Sequence, residues 1–457
     1  MHDVAIIGGG PGGYAAALFA HNFGLTVALV EREQIGGTCL HRGCIPAKSW
    51  LQTAEVFTEV AHAGDFGVVT SPPVLDWAAA LARKDSIVTR LHGGLTGLMK
   101  QRKVSVFEGS GRIAAPGVVE VAMNDGTAQR IEARNIVVAT GSIPRSIPGY
   151  PVDGARIVTS DHALDWPSRP DRVAIIGAGA IGVEFASMLA DLGSAVHLFE
   201  MMDQVVPGLE PQAARLLTRA LAKRGVDIHT STGVEPAVMT GSGVVVPFGA
   251  ESVEVDVVLV AVGRAPVAEG IGIESTRAVI DRGFVRVDLS TMQTDEPGIY
   301  AVGDIVAGTP QLAHAGFAEG IAAITHIATG ETAPPDYRVI PLIVYSEPEV
   351  ASVGMTEAQA IAAGYEIEKH SHGFAGVARA LIKGKAEGTV KLVVQKDGPI
   401  LGATVVGPAA GEMIHELMYM VGWEALPSEA AAFIHAHPTL AESIGETLMA
   451  AAGRSLH

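Results

Sequence analysis

Val4-Ala5-Ile6-Ile7-Gly8-Gly9-Gly10-Pro11-Gly12-Gly13 stands near the start of the chain, and Val173-Ala174-Ile175-Ile176-Gly177-Ala178-Gly179-Ala180-Ile181-Gly182 repeats its pattern in register. Each apolar run reads as a buried strand. Each glycine set, Gly8/Gly10/Gly13 and Gly177/Gly179/Gly182, reads as the turn into an apolar helix. A second strand follows each helix and ends on an acid, Glu31 in the first copy and Glu200 in the second. The physical requirements are specific. The first glycine permits a tight turn, the second lets the backbone approach a pyrophosphate, and the third lets the helix pack on the strand. The helix N-terminus faces the phosphates, and the acid accepts a ribose hydroxyl. One such motif is weak evidence, because glycine turns are common. Two copies in register point to two dinucleotide-binding sites. The alternative, two ordinary strand–helix turns, leaves the acid at the shared offset unexplained.

Each unit has a later apolar strand that ends in a glycine turn. Ile136–Ala139 leads into Thr140-Gly141-Ser142, and Val257–Val262 leads into Gly263-Arg264. A third such element, Gly298 to Asp304, is expected to return the chain to the first domain. Asp304 is placed there to hydrogen-bond a sugar or ribitol hydroxyl; the plainer reading is a turn aspartate. Proline- and glycine-rich stretches at 143–151, 166–170 and 333–336 mark boundaries. Beyond the last of these the pattern becomes α+β, with strands near 390–394 and 400–406 and no nucleotide fingerprint.

The chain has 457 residues and a formal charge of −17, which argues against nucleic acid as a partner. No apolar run approaches the ~20 residues of a membrane span. Met1-His2-Asp3 leads directly into a strand, so no signal peptide is expected and the expected compartment is the reducing cytoplasm. Only two cysteines occur, Cys39 and Cys44. Half a zinc site would need further cysteine or histidine ligands at suitable spacing, and no metal site is expected. A staple closing so short a loop gains little entropy. A redox pair is the reading that remains. Straight helical rise would separate the two positions by about 7.5 Å. That exceeds the ~7 Å limit between disulfide-bonded Cα atoms, so the segment is expected to bend, with Gly43 placed to allow it. Pro46 suits the first turn of a helix, which puts Cys44 near a helix N-terminus that favours a thiolate.

Together, Gly-Gly-Thr-Cys-x4-Cys-Ile-Pro-x-Lys at 36–48, Ala-Val-Gly-Asp at 301–304 and His-Ala-His-Pro-Thr-Leu-x-Glu at 435–442 resemble the pyridine nucleotide–disulfide oxidoreductases. Within that family the closest resemblance is to members that oxidise dihydrolipoyl groups. It covers essentially the whole chain. It implies an α/β fold of two Rossmann-like dinucleotide-binding domains plus a C-terminal α+β dimerisation domain. The implied boundaries are 1–143 with 271–340 for FAD, 144–270 for NAD and 341–457 for dimerisation. Gly37, Thr38, Gly111, Ala180 and Ala313 join the fingerprint, acid and glycine-turn residues as implied cofactor contacts.

The resemblance also assigns roles. Cys44 is the thiol beside the flavin and Cys39 the one that exchanges with substrate. Lys48 and Glu184, which read alone as surface charges, become a pair near the flavin that also contacts cofactor. His437, which read alone is a solvated histidine, becomes the proton shuttle oriented by Glu442, with His435 as a positioning residue. The implied partners are a second copy of the chain and the lipoyl domains of an acyltransferase or of a glycine-cleavage H-type protein. Family members typically carry Asn-Val between the thiols, where this chain has His41-Arg42. That departure leaves the thiols intact and bears on redox potential.

Rival readings differ in detail. Glutathione-type reductases usually prefer NADPH and carry basic residues after the second strand of the second unit. Here Glu200 is followed by Met201-Met202-Asp203, with no Lys or Arg before Arg215, which favours NAD. Mercuric reductases add a C-terminal cysteine pair, which this chain lacks, and soluble transhydrogenases lack the complete thiol pair. Another disulfide reductase of the same family, and a catalytically silent flavoprotein scaffold, stay as alternatives.

Overall fold

A computed structural model describes residues 1–457. The chain forms two compact units, one of Met1–Ser49, Ala78–Arg145 and Arg264–Tyr337, the other of Trp50–Trp77, Ser146–Gly263 and Arg338–His457.

In the first unit the strand His2–Ile7 lies between Val27–Glu31 and Ala128–Val138, parallel to both. Burial on both faces is why Val4, Ala5, Ile6 and Ile7 form an unbroken apolar run. Ile299–Ala301 pairs in parallel with Ala128–Val138, Ile299 opposite Ile136, so the third turn-bearing strand does return to the first sheet. The helix Pro11–Ala20 crosses Ala313–Thr329 closely, because both carry glycine at the crossing. A Cβ on Gly320 would sit 2.6 Å from the Gly12 carbonyl oxygen.

The second unit repeats this arrangement. Arg172–Ile176 lies between Ala195–Phe199 and Val257–Val260, again parallel, with Asp227–His229 and Ile157–Val158 at the two edges. Its C-terminal part is a five-stranded antiparallel sheet that includes the expected strands, seen at Thr389–Gln395 and Ile400–Gly407. The helices Ala410–Gly422 and Glu442–Ala451 pack on that sheet, burying Phe374, Leu392, Val405, Ile414, Leu417 and Ile444. No helix is long and apolar enough to cross a membrane.

Candidate active site

The two fingerprints have one geometry. Gly8 and Gly177 have φ of +106° and +101°, and a Cβ at either would lie 2.2 or 2.5 Å from a carbonyl oxygen of the neighbouring strand's end. A Cβ at Gly13 or Gly182 would lie 1.9 Å from the carbonyl of Gly8 or Gly177. Internal packing therefore demands the first and third glycines. It does not demand the middle ones. Gly10 and Gly179 cap their helices at φ −72° and −69°, which any residue adopts. A Cβ at Gly10 would meet only Gly37, at 4.0 Å, and one at Gly179 would meet nothing within 4 Å. Open space ahead of a helix N-terminus, kept free of side chains, fits a dinucleotide pyrophosphate. Ala180 opens the second of these helices.

The acids are held alike. Glu31 accepts the Gly9 N–H at 2.7 Å and the Glu33 N–H at 2.9 Å. Glu200 accepts the Ala178 N–H at 2.8 Å and the Met202 N–H at 2.9 Å. Each carboxylate is fixed at the strand end with lone pairs left for a ribose. Gly111 lies over the first sheet, where a Cβ would touch Val30 and Ile7. Ala313 opens the helix that crosses the first fingerprint helix.

The thiol segment begins against the first fingerprint. Gly37, at φ +58°, would place a Cβ 2.6 Å from the Gly10 Cα, so the two glycine backbones meet directly. Thr38 and Cys39 follow in the short helix Gly37–Arg42; Gly43 breaks it, and Cys44 starts the helix Cys44–Ala61 with Pro46 in its first turn. The expected bend is present. A Cβ on Gly43 would press to 3.0 Å from the Thr38 carbonyl oxygen.

Cys39 and Cys44 are both half-buried. The Cys39 thiol is pushed up by its hydrogen bond to Cys44, by burial and by charge on Cys44, while Lys48 pulls the other way. Tyr14, immediately after Gly13, is pushed up to about 12 by burial and by the nearby charges of Cys39 and Cys44. Sequence reasoning passed over Tyr14; its place at the fingerprint's end was the available signal.

His41 and Arg42 contact the loop after Glu31. Arg42 pairs with Glu33 at 2.7 Å, and His41 Nε2 lies 2.9 Å from the Ile35 carbonyl oxygen. With Glu31, Gln34 and Gly37 they line a cleft of about 110 Å³.

Three further site residues meet in the first unit. Ser142 donates to Asp304 at 2.5 Å, and Arg264 Nε donates to the Ser142 hydroxyl at 2.7 Å. Thr140 donates to the Val267 carbonyl at 2.6 Å, and Gly141 and Gly303 hold left-handed turns at φ +69° and +78°. Gly263 is the last residue of its segment in the second unit and Arg264 the first of the next in the first unit.

The Gly303 N–H is held by Glu319, which sequence reasoning also missed, at 2.5 Å; the Tyr337 hydroxyl donates to the other Glu319 oxygen at 3.0 Å. Burial pushes the Glu319 carboxyl up to about 7 against the pull of those two donors. Between the ordinary carboxylate range and about pH 7 the folded chain thus holds a proton there that the unfolded chain has released. This contribution to stability is full below the ordinary carboxylate range and is lost as pH rises through about 7. Glu319→Gln, which imitates the protonated form, is expected to gain thermal stability relative to the parent as pH rises from 5 to 8. A difference in midpoint that stays constant or narrows over that range would refute it.

In the second unit His437 Nδ1 lies 2.7 Å from Glu442 Oε1, and the Thr439 N–H donates to Glu442 Oε2 at 2.8 Å. The Thr439 N–H first and His437 second hold the Glu442 carboxyl below the usual range. His435 pairs with Glu416 at 2.8 Å, a bond that raises its pKa, and its ring packs against Gly445 of the helix that carries Glu442. Glu184 accepts the Tyr345 N–H at 3.0 Å. Cys39, Cys44 and Lys48 belong to the first unit; Glu184, His437 and Glu442 belong to the second.

Residues 2–320 match the family described as pyridine nucleotide-disulphide oxidoreductase, and residues 340–448 match its dimerisation domain. A dihydrolipoyl dehydrogenase of Bacillus subtilis is 39% identical over 100% of this chain and 99% of its own length. The mitochondrial dihydrolipoyl dehydrogenase of Pisum sativum is 36% identical over 100% of this chain and 92% of its own. The crystal structure of LpdA from Mycobacterium tuberculosis superposes with a TM-score of 0.91 at 28% identity, covering 98% of this chain and 99% of that one. With both family regions matched and relatives aligned along its whole length, the chain belongs to the pyridine nucleotide-disulphide oxidoreductase family, whose cofactors are FAD and NAD(H).

Proposed function

We propose that the chain is a dihydrolipoyl dehydrogenase: it oxidises dihydrolipoyl groups to the cyclic disulfide and passes the electrons to NAD+. The observation that carries this reading is the thiol pair set across a helix break, with its leading glycine against the nucleotide loop and Lys48 acting on it. The 36–39% identity to proteins named dihydrolipoyl dehydrogenase supports the choice of substrate.

In the proposed sequence His437 takes the proton from one dihydrolipoyl thiol. The resulting thiolate attacks Cys39 Sγ of the oxidised pair, the Cys39–Cys44 bond breaks, and Cys44 leaves as a thiolate. The second dihydrolipoyl thiol attacks the mixed disulfide, closing the lipoyl ring and releasing Cys39, which takes up that thiol's proton. Two electrons now reside on the pair. Glu442 orients the imidazole and stabilises its charge while it carries the proton. FAD, when bound, supplies the exchange of a thiol electron pair for a hydride that nicotinamide accepts. The glycine loop at Gly8, Gly10 and Gly13, with Glu31, Gly37, Ser142 and Asp304, would hold it. Gly177, Gly179, Gly182 and Glu200 would hold NAD. Lys48 and Glu184 are assigned to the flavin's surroundings.

In this reading residues 1–143 with 271–340 serve FAD, 144–270 serve NAD, and 341–457 build a two-fold dimer. Exposed Tyr419, Trp423, Phe433 and Ile434 on the C-terminal part supply apolar surface for that contact. The substrate in a reducing cytoplasm is a lipoyl domain of an acyltransferase or of a glycine-cleavage H-type protein.

Turnover of free dihydrolipoamide with NAD+ tests the reading; no turnover by FAD-loaded protein would leave a different disulfide reductase or a scaffold. Cofactor choice adds a second measurement. NAD is expected to exceed NADP at least tenfold in kcat/KM, about 1.4 kcal/mol. A 2′-phosphate would meet the Glu200 carboxylate, already fixed by two N–H groups, as a like charge. Glu200→Ala is expected to shrink the ratio, and equal use of both cofactors by the parent would sink the assignment of Glu200.

A further inference from the structure

We propose that His197, Asp227 and His229 form a binding site for a divalent transition-metal ion of the zinc class, separate from the residues assigned to the nucleotides and the thiols. The register of the second parallel sheet builds it. Asp227 pairs with His197 across neighbouring strands, and His229 follows Asp227 by two residues. Side chains alternate along a strand, so all three share one face of the sheet. His197 Nδ1 lies 3.1 Å, and His229 Nε2 3.2 Å, from the same carboxylate oxygen, Asp227 Oδ2. The three ligand atoms all lie within 4.8 Å of one another. Around a tetrahedral zinc ion with bonds of 2.0–2.1 Å, ligand atoms stand about 3.3 Å apart. The two imidazole–carboxylate spacings already approach that value.

A simpler account would have the carboxylate accept hydrogen bonds from both rings. The geometry does not support it. Both nitrogens are buried and neither has a hydrogen-bond partner, despite the short distances to Oδ2. Buried polar atoms left in that state are uncommon and call for an explanation. An ion placed among the three atoms would satisfy both nitrogens and the carboxylate together. The rings are also held in place without it. His229 stacks on Phe199 at 4.7 Å, contacts Phe248 at 4.8 Å, and lies nearly parallel to His197 at 6.0 Å.

The donor set selects the class of ion. Two imidazoles and one carboxylate suit Zn²⁺, Co²⁺ or Cu²⁺. Mg²⁺ and Ca²⁺ prefer oxygen ligands throughout. Three protein ligands leave a fourth position for water, and the Asp227 side chain is 57% exposed, giving ion and water a path. The ion would fasten a three-residue edge strand to its neighbour. That strand end also supports Glu200, whose N–H donates to the His229 carbonyl at 2.9 Å. The inference rests on the fold alone and stands whether or not dihydrolipoyl is the substrate.

The test uses tag-free, FAD-loaded protein, stripped with a chelator, with Cys39 and Cys44 oxidised so that the thiols do not compete. Equilibrium dialysis against Zn²⁺ is expected to give one ion per chain beyond the amount bound by a His197→Gln/His229→Gln double variant. Each single variant, and Asp227→Asn, is expected to bind at least ~tenfold more weakly. Co²⁺ should give ligand-field absorption at wavelengths beyond the flavin bands in the parent and not in the double variant. Metal-free turnover should be unchanged in His197→Gln and Asp227→Asn. Equal zinc binding by parent and double variant, or none by the parent at ~100 μM ion, would overturn the proposal. If a His229 variant fails to fold through lost packing, His197→Gln and Asp227→Asn decide the question by the same two readouts.

Discussion

Cys44→Ser is expected to abolish the long-wavelength absorbance that appears when the FAD-loaded protein takes up two electrons, whereas Cys39→Ser is expected to keep it. Both variants should lose dihydrolipoamide turnover by at least ~10³-fold, because neither can form the exchangeable disulfide. The asymmetry comes from the surroundings of the two sulfurs. Cys39 is pushed up first by its hydrogen bond to Cys44 and then by burial, which disfavours its thiolate within the coupled pair. Cys44 also opens an 18-residue helix, whose N-terminal N–H groups favour a thiolate. A band that survives in Cys44→Ser and vanishes in Cys39→Ser would reverse the two roles.

His437→Gln is expected to lower kcat by 10²- to 10⁴-fold, the usual contribution of a positioned proton shuttle. Glu442→Gln should cost less, since the imidazole remains and loses only its orienting partner. The His437 side chain is 74% exposed, as a shuttle awaiting a second surface would be. Dimerisation through the C-terminal part would bring such a surface. A mixture of Cys44→Ser and His437→Gln chains tests this directly, since neither parent dimer should turn over well. Random reassortment makes half of the dimers hybrid, and each hybrid has one intact site of two. Activity should therefore return to about a quarter of the unaltered level. Hybrids that form and stay inactive would show the shuttle acting within one chain.

Much of this was legible in the sequence because glycine and cysteine carry local geometry. The two fingerprints, their acids and the break at Gly43 follow from spacing alone, and each appears where expected. The return of Ile299–Ala301 to the first sheet followed from its likeness to the other turn-bearing strands. What spacing could not give is contact between distant segments. Ser142, Arg264 and Asp304 were each marked for a separate reason, and only the fold joins them through hydroxyl and guanidinium bonds. Glu319 lay in an unremarkable helix; its importance comes from burial beneath the Gly303 turn, which has no local signature. His197, Asp227 and His229 match no ligand spacing, because a sheet register rather than a motif brings them together.

The back-to-back meeting of Gly10 and Gly37 closes one position of the thiol loop to variation. A methyl group at 37 would wedge the thiol helix off the nucleotide loop, so holding the cofactor and aiming the sulfurs cannot be adjusted separately there. His41 and Arg42 instead contact Ile35 and Glu33. An engineer who wished to retune the pair's electron affinity would find position 37 locked and would work from those two positions.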